Sequence, residues 1–149
     1  MSSPAYGKAD PPIMGVGQGV LFGPSLFALI SSKMIEMMKR KGYGTNLASS
    51  LSLTLVSIVC FAFVDDTDVI NTGTSRTTTG EEMLPKFQEA LDRWAGALKA
   101  TGGELAPAKS CFALIDFQWN RSDWKYRSEE DMPGNCTLND KFENPHNLK

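Results

Sequence analysis

Two adjacent aspartates, Asp65 and Asp66, are the residues whose type and position most directly suggest chemistry. They follow an apolar run that ends in Phe63-Val64, and such a run indicates a buried strand. Adjacent carboxylates repel one another unless a cation lies between them. Magnesium prefers oxygen ligands and binds through one or two carboxylates plus substrate phosphates, and two such ions can clamp the reacting oxygens in phosphoryl transfer. Aspartate is also common in ordinary turns, so the pair alone leaves a plain hairpin turn open.

Two further segments carry weaker signals. Closely spaced glycines let a backbone bend sharply or approach a ligand, and such glycines occur in Gly15-Val16-Gly17-Gln18-Gly19, ahead of Gly23-Pro24. Lys109 follows the turn at Gly102-Gly103. A lysine near a metal site can neutralise or protonate a pyrophosphate leaving group, whereas a solvated surface charge is the ordinary alternative for this residue type.

Two helices and a hairpin are predicted to position these residues. Pro24 opens a helical pattern that ends in a basic turn before Gly42. Thr79 and Glu82 have the spacing of a capping box, and the helix that they begin ends at Gly102-Gly103. Its apolar side consists of five residues, Leu84, Phe87, Leu91, Trp94 and Leu98.

The remaining pattern predicts strands and a polar end. Residues 58–64 are predicted to form a buried strand that resumes at Asp68-Val69-Ile70, which gives a tight hairpin with the carboxylates at its tip. Residues 111–119 are a second strand candidate. Trp119, Trp124 and Tyr126 can stack on nucleic-acid bases, but they are expected instead to pack at the edge of the sheet. From residue 120 onward the chain is polar and is predicted to be loosely ordered.

Composition limits the classes of protein that fit. A chain of 149 residues with 42% hydrophobic and 21% charged residues fits one globular domain. A net charge of -2 gives no whole-chain footprint for nucleic acid. The three cysteines, Cys60, Cys111 and Cys136, are too scattered to indicate a disulfide framework or a zinc site. No signal peptide is visible, so the expected location is intracellular, with the nucleus and the cytoplasm both open.

The order of these segments resembles reverse transcriptases of non-LTR-type or related eukaryotic retroelements, through their motifs B, C and D over roughly residues 6–119. In this resemblance Asp65 and Asp66 match the metal-binding aspartates of motif C. Gly17, Gln18 and Gly19 match the motif B turn that contacts template and incoming nucleotide. The remaining match, to the motif D lysine that acts as general acid, is Lys109.

The resemblance implies a fold and an activity. The fold is α+β, a partial polymerase palm over residues 1–119 in which an antiparallel hairpin carrying Asp-Asp packs against two helices, followed by the polar tail 120–149. The activity is RNA-directed DNA polymerisation by two-metal nucleotidyl transfer. It uses Mg²⁺, which Mn²⁺ can replace, an RNA or DNA template-primer and a deoxynucleoside triphosphate. No membrane partner is expected, because the most apolar run, Leu51 to Val64, is too short to span a bilayer as a helix.

The chain departs from this family in one metal ligand, and it has no room for the fingers that grip the triphosphate or for most of the thumb. The family uses a further aspartate, from motif A, on a strand upstream of motif B. Asp10 precedes two prolines, which cannot donate to a central ladder, and Asp68 belongs to the same hairpin as the acidic pair. Because phosphoryl transfer depends on such electrostatic stabilisation, we expect the isolated chain to have negligible polymerase activity.

Two alternatives remain open at this stage. One is a non-catalytic retroelement relic. The other is a small protein-interaction module that uses the apolar side of the second helix, although such a stripe ordinarily covers a core.

Overall fold

The computed structural model describes residues 22–63, 66–75 and 77–148. These residues form a mixed α+β structure with two helices and short antiparallel strand pairs. The elements in chain order are α1 Gly23–Arg40, β1 Thr45–Ala48, β2 Leu55–Ile58, β3 Cys60–Phe63, β4 Asp66–Val69, α2 Gly80–Ala100, β5 Phe117–Asn120, β6 Asp123–Tyr126, β7 Thr137–Asn139 and β8 Pro145–Asn147. Single 3-10 turns lie at Pro107–Lys109 and Glu129–Asp131.

Both helices begin and end near the predicted residues. In α1, proline occupies the first turn and Lys39 and Arg40 the last, where cations favour the negative end of the helix dipole. In α2, the predicted capping box is present. The Glu82 amide donates to the Thr79 hydroxyl at 3.4 Å, and the Thr79 amide donates to the Glu82 carboxylate at 3.2 Å.

The described strands pair only as two-stranded hairpins. The predicted strand over residues 58–64 is divided at Val59, because the chain changes partner there. Up to Ile58 it pairs with β1, and from Cys60 it pairs with β4. Val59 is 1% exposed, and its carbonyl accepts from the Ile70 amide at 2.7 Å. The divided strand therefore supplies two hairpins that share one buried hinge residue.

A first core lies where α1, α2 and the β3–β4 hairpin meet. Its buried residues are Met34, Met38, Tyr43, Val59, Ala90 and Trp94. Cys60 and Val69 of the hairpin pack against this cluster. The packing confirms that the hairpin lies on two helices, and its identity as a polymerase palm remains a prediction.

A second core lies against α2 and uses the end of the chain. Its buried residues are Leu91, Cys136, Leu138 and Leu148. The side-chain amide of Gln88 donates to the Thr137 carbonyl at 2.9 Å and accepts from the Thr137 amide at 2.8 Å. Residues 120–148, predicted to be loosely ordered, thus contain strand pairs and three buried apolar side chains. The polar composition did not predict this ordered structure, because the few apolar residues are separated by long polar stretches.

The strand predicted over residues 111–119 is shorter than expected. Only Phe117 and the two residues after it belong to a strand, β5, which extends one residue further to Asn120. From residue 111 to 116, burial alternates, with Phe112, Leu114 and Asp116 half-buried. This alternation explains the prediction, but no described strand pairs with that segment and it is therefore not part of a sheet.

Candidate functional site

The predicted acidic hairpin is formed by β3 and β4. Asp66 is the first residue of β4 and lies opposite Phe63, the last residue of β3. Only residues 64 and 65 separate this pair, and Val64 and Asp65 themselves lie outside the described residues. The aspartate that is described is exposed at the end of the hairpin.

The register of the hairpin gives it two different faces. Because directly opposed residues in an antiparallel pair share a face, one face carries Cys60 and Val69, which pack on the first core. The other face carries Phe61, Phe63, Asp66 and Asp68. All four are exposed, with Phe61 at 57% and Phe63 at 79%. The outward face is therefore a mixed aromatic and acidic surface next to the turn.

Asp66 and Asp68 are the described residues that could hold a divalent ion at this hairpin. They lie two positions apart and so point to the same side of β4. Among the residues that the structure describes, no group of three or more His, Cys, Asp or Glu side chains is placed to hold a metal ion. Magnesium binds proteins through one or two carboxylates and completes its shell with phosphates and water. Asp66 and Asp68 fit that mode of binding, in which phosphate and water oxygens would be the remaining ligands.

A shallow groove of about 280 Å³ lies beside the hairpin end. It runs between α1 and β3, and its lining residues are Pro24, Phe27, Ala28, Ser31, Ser32, Ile35, Ala62 and Phe63. Ser31 is 6% exposed, and its hydroxyl donates to the Ala28 carbonyl at 3.3 Å. Because Phe63 both lines the groove and opposes Asp66, the groove opens next to the acidic tip.

Lys109 lies in a different part of the structure. It ends the 3-10 turn Pro107–Lys109, which contacts β8 on the side of the second core. No hydrogen bond or ion pair of the described residues joins Lys109 to Asp66. The role of this lysine at the acidic pair therefore stays a prediction.

The other predicted site residues lie outside the described ranges. They are Gly17, Gln18, Gly19 and Asp65, together with the rejected candidate Asp10. Their placement beside the hairpin remains a prediction from the resemblance.

An aromatic surface on the β5–β6 hairpin was not expected. Phe117 lies against Tyr126 with ring centroids 4.3 Å apart, and Trp119 lies against Trp124 at 5.4 Å. The four rings share one face and are exposed by 47%, 69%, 58% and 66% in that order. The expectation that the tryptophans and the tyrosine pack at the edge of a larger sheet is wrong, because β5 and β6 pair only with each other. The alternation of aromatic and polar residues on both sides of Arg121-Ser122 was the signal that could have revealed it.

Arg127 anchors the aromatic hairpin to the N-terminal end of α2. Its guanidinium donates to Asp116 at 3.1 Å and to Glu81 at 2.6 Å, and its amide donates to the Asp116 carbonyl at 3.0 Å. The Arg127 side chain is only 14% exposed. The hydrogen bond from Arg127 lowers the pKa of Glu81 to about 2. The hairpin is consequently held at its base while its rings face solvent.

Comparisons of the chain with protein-family models, curated proteins and solved structures found no match. Within the described residues, neither helix combines the length and the apolar character that crossing a bilayer requires.

Proposed function

We propose that this chain derives from a reverse transcriptase and carries part of the nucleotidyl-transfer site of an RNA-directed DNA polymerase. The observation that carries the proposal is the exposed acidic end of β3–β4, a hairpin that is seated by its inner face on two helices. Metal-dependent phosphoryl transfer requires carboxylates held rigidly at a solvent-accessible point. A hairpin fixed on a packed core supplies that rigidity, because its inner residues cannot shift without disturbing the core.

The proposed role of the acidic residues is to hold divalent ions. Asp65 and Asp66 would bind Mg²⁺ or Mn²⁺, and the metal would supply charge stabilisation for a transferring phosphoryl group. Asp68 lies on the same outward face as Asp66 and adds negative potential there. Gly17, Gln18 and Gly19 would contact template and nucleotide, and Lys109 would act as general acid, as the resemblance implies.

The aromatic hairpin supports a nucleic-acid partner. Aromatic side chains stack on bases of any sequence, and each such contact contributes about 1–3 kcal/mol by alanine substitution. Four exposed rings on one ribbon give a surface of that kind, and Arg121 and Lys125 on the same hairpin can contact phosphates. This support does not depend on the net charge of the chain, which is slightly negative.

We propose further that the isolated chain is catalytically inactive. Two-metal transfer in this family needs a further carboxylate, and Asp68 comes from the same hairpin as Asp66 and approaches the site from the same direction. A non-catalytic retroelement relic would have the same hairpin. Genomic sequence immediately upstream discriminates, because an in-frame strand with an aspartate favours an enzyme and stop codons favour a relic.

The interaction-module alternative loses its main support. The apolar side of α2, on which it rested, is used inside the molecule. Trp94 belongs to the first core and Leu91 to the second, while Leu84 and Phe87 pack against the second core. This packing favours the ordinary interpretation of an amphipathic helix.

Metal binding at the hairpin is tested by titrating Mn²⁺ into the labelled protein and recording paramagnetic broadening of amide signals. Signals of residues 63–68 should broaden first. The double variant Asp65→Asn/Asp66→Asn should lose this broadening, while the matched variant Asp123→Asn, which removes an exposed aspartate from another hairpin, should keep it. Broadening that begins elsewhere, or that survives the double variant, would contradict a metal site at the hairpin.

The nucleic-acid partner is tested separately with a single-stranded oligonucleotide. Fluorescence anisotropy of a dye-labelled oligonucleotide measures the affinity, and Trp119→Ala/Trp124→Ala should weaken binding by at least tenfold if each ring stacks on a base. Phe142→Ala is the control, because Phe142 is an exposed aromatic residue outside this hairpin. Equal affinity of the double variant and the native chain would exclude the aromatic hairpin as the surface that stacks on bases.

Polymerase activity is tested by measuring nucleotide incorporation with a primed template, deoxynucleoside triphosphates and magnesium. We expect no incorporation above that of Asp66→Asn. Robust incorporation that Asp66→Asn abolishes would overturn the proposed inactivity and would support the family assignment directly.

A further inference from the structure

The β1–β2 hairpin projects from the first core and exposes apolar side chains on both faces. Thr45 and Ile58 at its base are half-buried, while the other strand residues are exposed. Leu47, Leu55 and Val56 are 54%, 66% and 50% exposed. An apolar hairpin open on both faces is uncommon in a soluble domain, and such surfaces mark sites of association.

The hairpin also lacks the charges that normally protect strand edges. No Asp, Glu, Lys, Arg or His occurs from Gly42 to Val64, a stretch that includes both strands and their turn. Proteins usually place proline, lysine or another charged residue on an open edge to prevent pairing with further strands. Its absence here leaves two copies of the hairpin free to approach without repulsion.

The backbone of the hairpin shows which groups face outward. The Ser49 amide donates to the Thr54 carbonyl at 3.0 Å, so this pair is hydrogen-bonded within the hairpin. Hydrogen-bonded and non-hydrogen-bonded pairs alternate in an antiparallel ladder. Following the register, Leu55 and Ser57 of β2 therefore direct their N–H and C=O groups away from β1.

The base of the hairpin follows the same alternation, and there the outward groups are already occupied. The Thr72 amide donates to the Gly44 carbonyl at 3.3 Å, and the Ile70 amide donates to the Val59 carbonyl. Beyond this point, no described strand pairs with the outer edge of β1 or β2. The open length of the edge thus begins at Ser57 and runs toward the turn.

We propose that β2 pairs with β2 of a second copy of this chain, which makes a four-stranded antiparallel sheet across a twofold axis. The outward groups of Leu55 would bond to those of Ser57 in the other copy and the reverse, with the two Val56 residues opposed at the axis. Such an interface is isologous, as in most homodimers. An uncharged strand edge is complementary to itself in both hydrogen bonding and charge.

The choice of β2 over β1 rests on side-chain type. β2 has the sequence Leu-Val-Ser-Ile, whereas β1 has the sequence Thr-Asn-Leu-Ala. Asparagine and alanine are depleted in strands, while valine and isoleucine are enriched. Pairing through β2 alone closes the assembly at two copies, because each copy uses its one favourable edge.

The first test measures molecular mass by sedimentation equilibrium over a wide range of protein concentration. The native chain should double in mass as concentration rises. Ser57→Pro should remain monomeric, because proline removes an outward donor without removing a bond to β1, while Ser57→Ala should dimerise like the native chain. A native chain that stays monomeric throughout would overturn the proposal.

The second test guards against variants that fail to fold. Val56→Lys and Val56→Glu place like charges opposite one another at the axis, so each variant alone should be monomeric. An equimolar mixture should form a heterodimer, because the charges then attract. Dimerisation of the native chain that neither charge alters, or a mixture that stays monomeric, would exclude pairing at Val56.

Discussion

The side chain of Arg127 forms ion pairs with two carboxylates in different parts of the chain. It joins Asp116 in the segment before β5 to Glu81 in the first turn of α2, and it is largely buried. Acidic residues are favourable in the first turn of a helix, because the dipole is positive there. The arginine therefore neutralises two carboxylates and ties the aromatic hairpin to the helix.

The first prediction concerns the pH dependence of this ion pair. Because the pKa of Glu81 falls from 4.5 to about 2 on folding, its stabilising contribution is fully present above pH 4.5 and is lost as the pH falls toward 2. Glu81→Gln should therefore be less stable than the native chain at neutral pH, and the difference should shrink across this acid range. Urea unfolding at a series of pH values measures it.

The control for this prediction is Glu104→Gln, because Glu104 is exposed and makes no ion pair among the described residues. Its unfolding curve should follow that of the native chain. A constant difference between Glu81→Gln and the native chain from neutral to acid pH would show that the ion pair does not titrate as proposed.

The second prediction concerns the thiols. Burial raises the pKa of Cys136 to about 11, and Cys136 is fully buried, whereas Cys111 is exposed. Since the thiolate is the reactive form, iodoacetamide should modify Cys111 first and Cys136 only after unfolding. Peptide mapping by mass spectrometry gives the order. Early labelling of Cys136 in the native state would show that the second core opens readily.

At the scale of elements, the helices were the most predictable part. Local signals act within a few residues of the chain, and both Pro24 at the start of α1 and the Thr79–Glu82 box at the start of α2 act at that range. The β3–β4 hairpin was predictable for the same reason, since its two strands are separated by two residues. The division at Val59 was not, because a change of strand partner leaves no mark on hydrophobic periodicity.

The third prediction compares two glycines of α2. A methyl group at Gly96 would enter open space, so Gly96→Ala should stabilise the chain by about 0.5–1 kcal/mol through the loss of glycine's backbone freedom. A methyl group at Gly80 would lie 2.7 Å from the Asp116 carboxylate, so Gly80→Ala should destabilise it. Thermal unfolding of the two variants measures the contrast, and equal shifts would contradict the packing at the start of α2.

At the scale of the whole molecule, α2 is shared by two cores. Trp94 and Ala90 belong to the first, Leu91 to the second, and Leu105 packs against both. The first core was implied by the periodicity of the two helices. The second was not, because Cys136, Leu138 and Leu148 are joined only by tertiary contacts that no local pattern encodes. The candidate site divides in the same way. The sequence predicted a hairpin with Asp66 at its end, where β4 begins, whereas the aromatic face of β5–β6 depends on a register seen only in the fold.

The fourth prediction tests whether the two cores open separately. Leu138→Ala should cost about 2–5 kcal/mol, because Leu138 is 4% exposed. Hydrogen exchange should accelerate more at the Leu148 amide, which donates to Cys136, than at the Ile70 amide, which donates to Val59. Leu29→Ala on the exposed side of α1 is the control. Equal acceleration at both amides would mean that the chain unfolds as one unit.

The contact between Gln88 and Thr137 has a consequence for the last hairpin. The primary amide of Gln88 imitates the edge of a neighbouring strand, since it offers one donor and one acceptor to the same residue. If β7 slipped by one position, Leu138 would turn toward water and the amide would meet a residue whose backbone groups point the other way. One glutamine on a helix thus selects a single alignment for a strand pair too short to select its own.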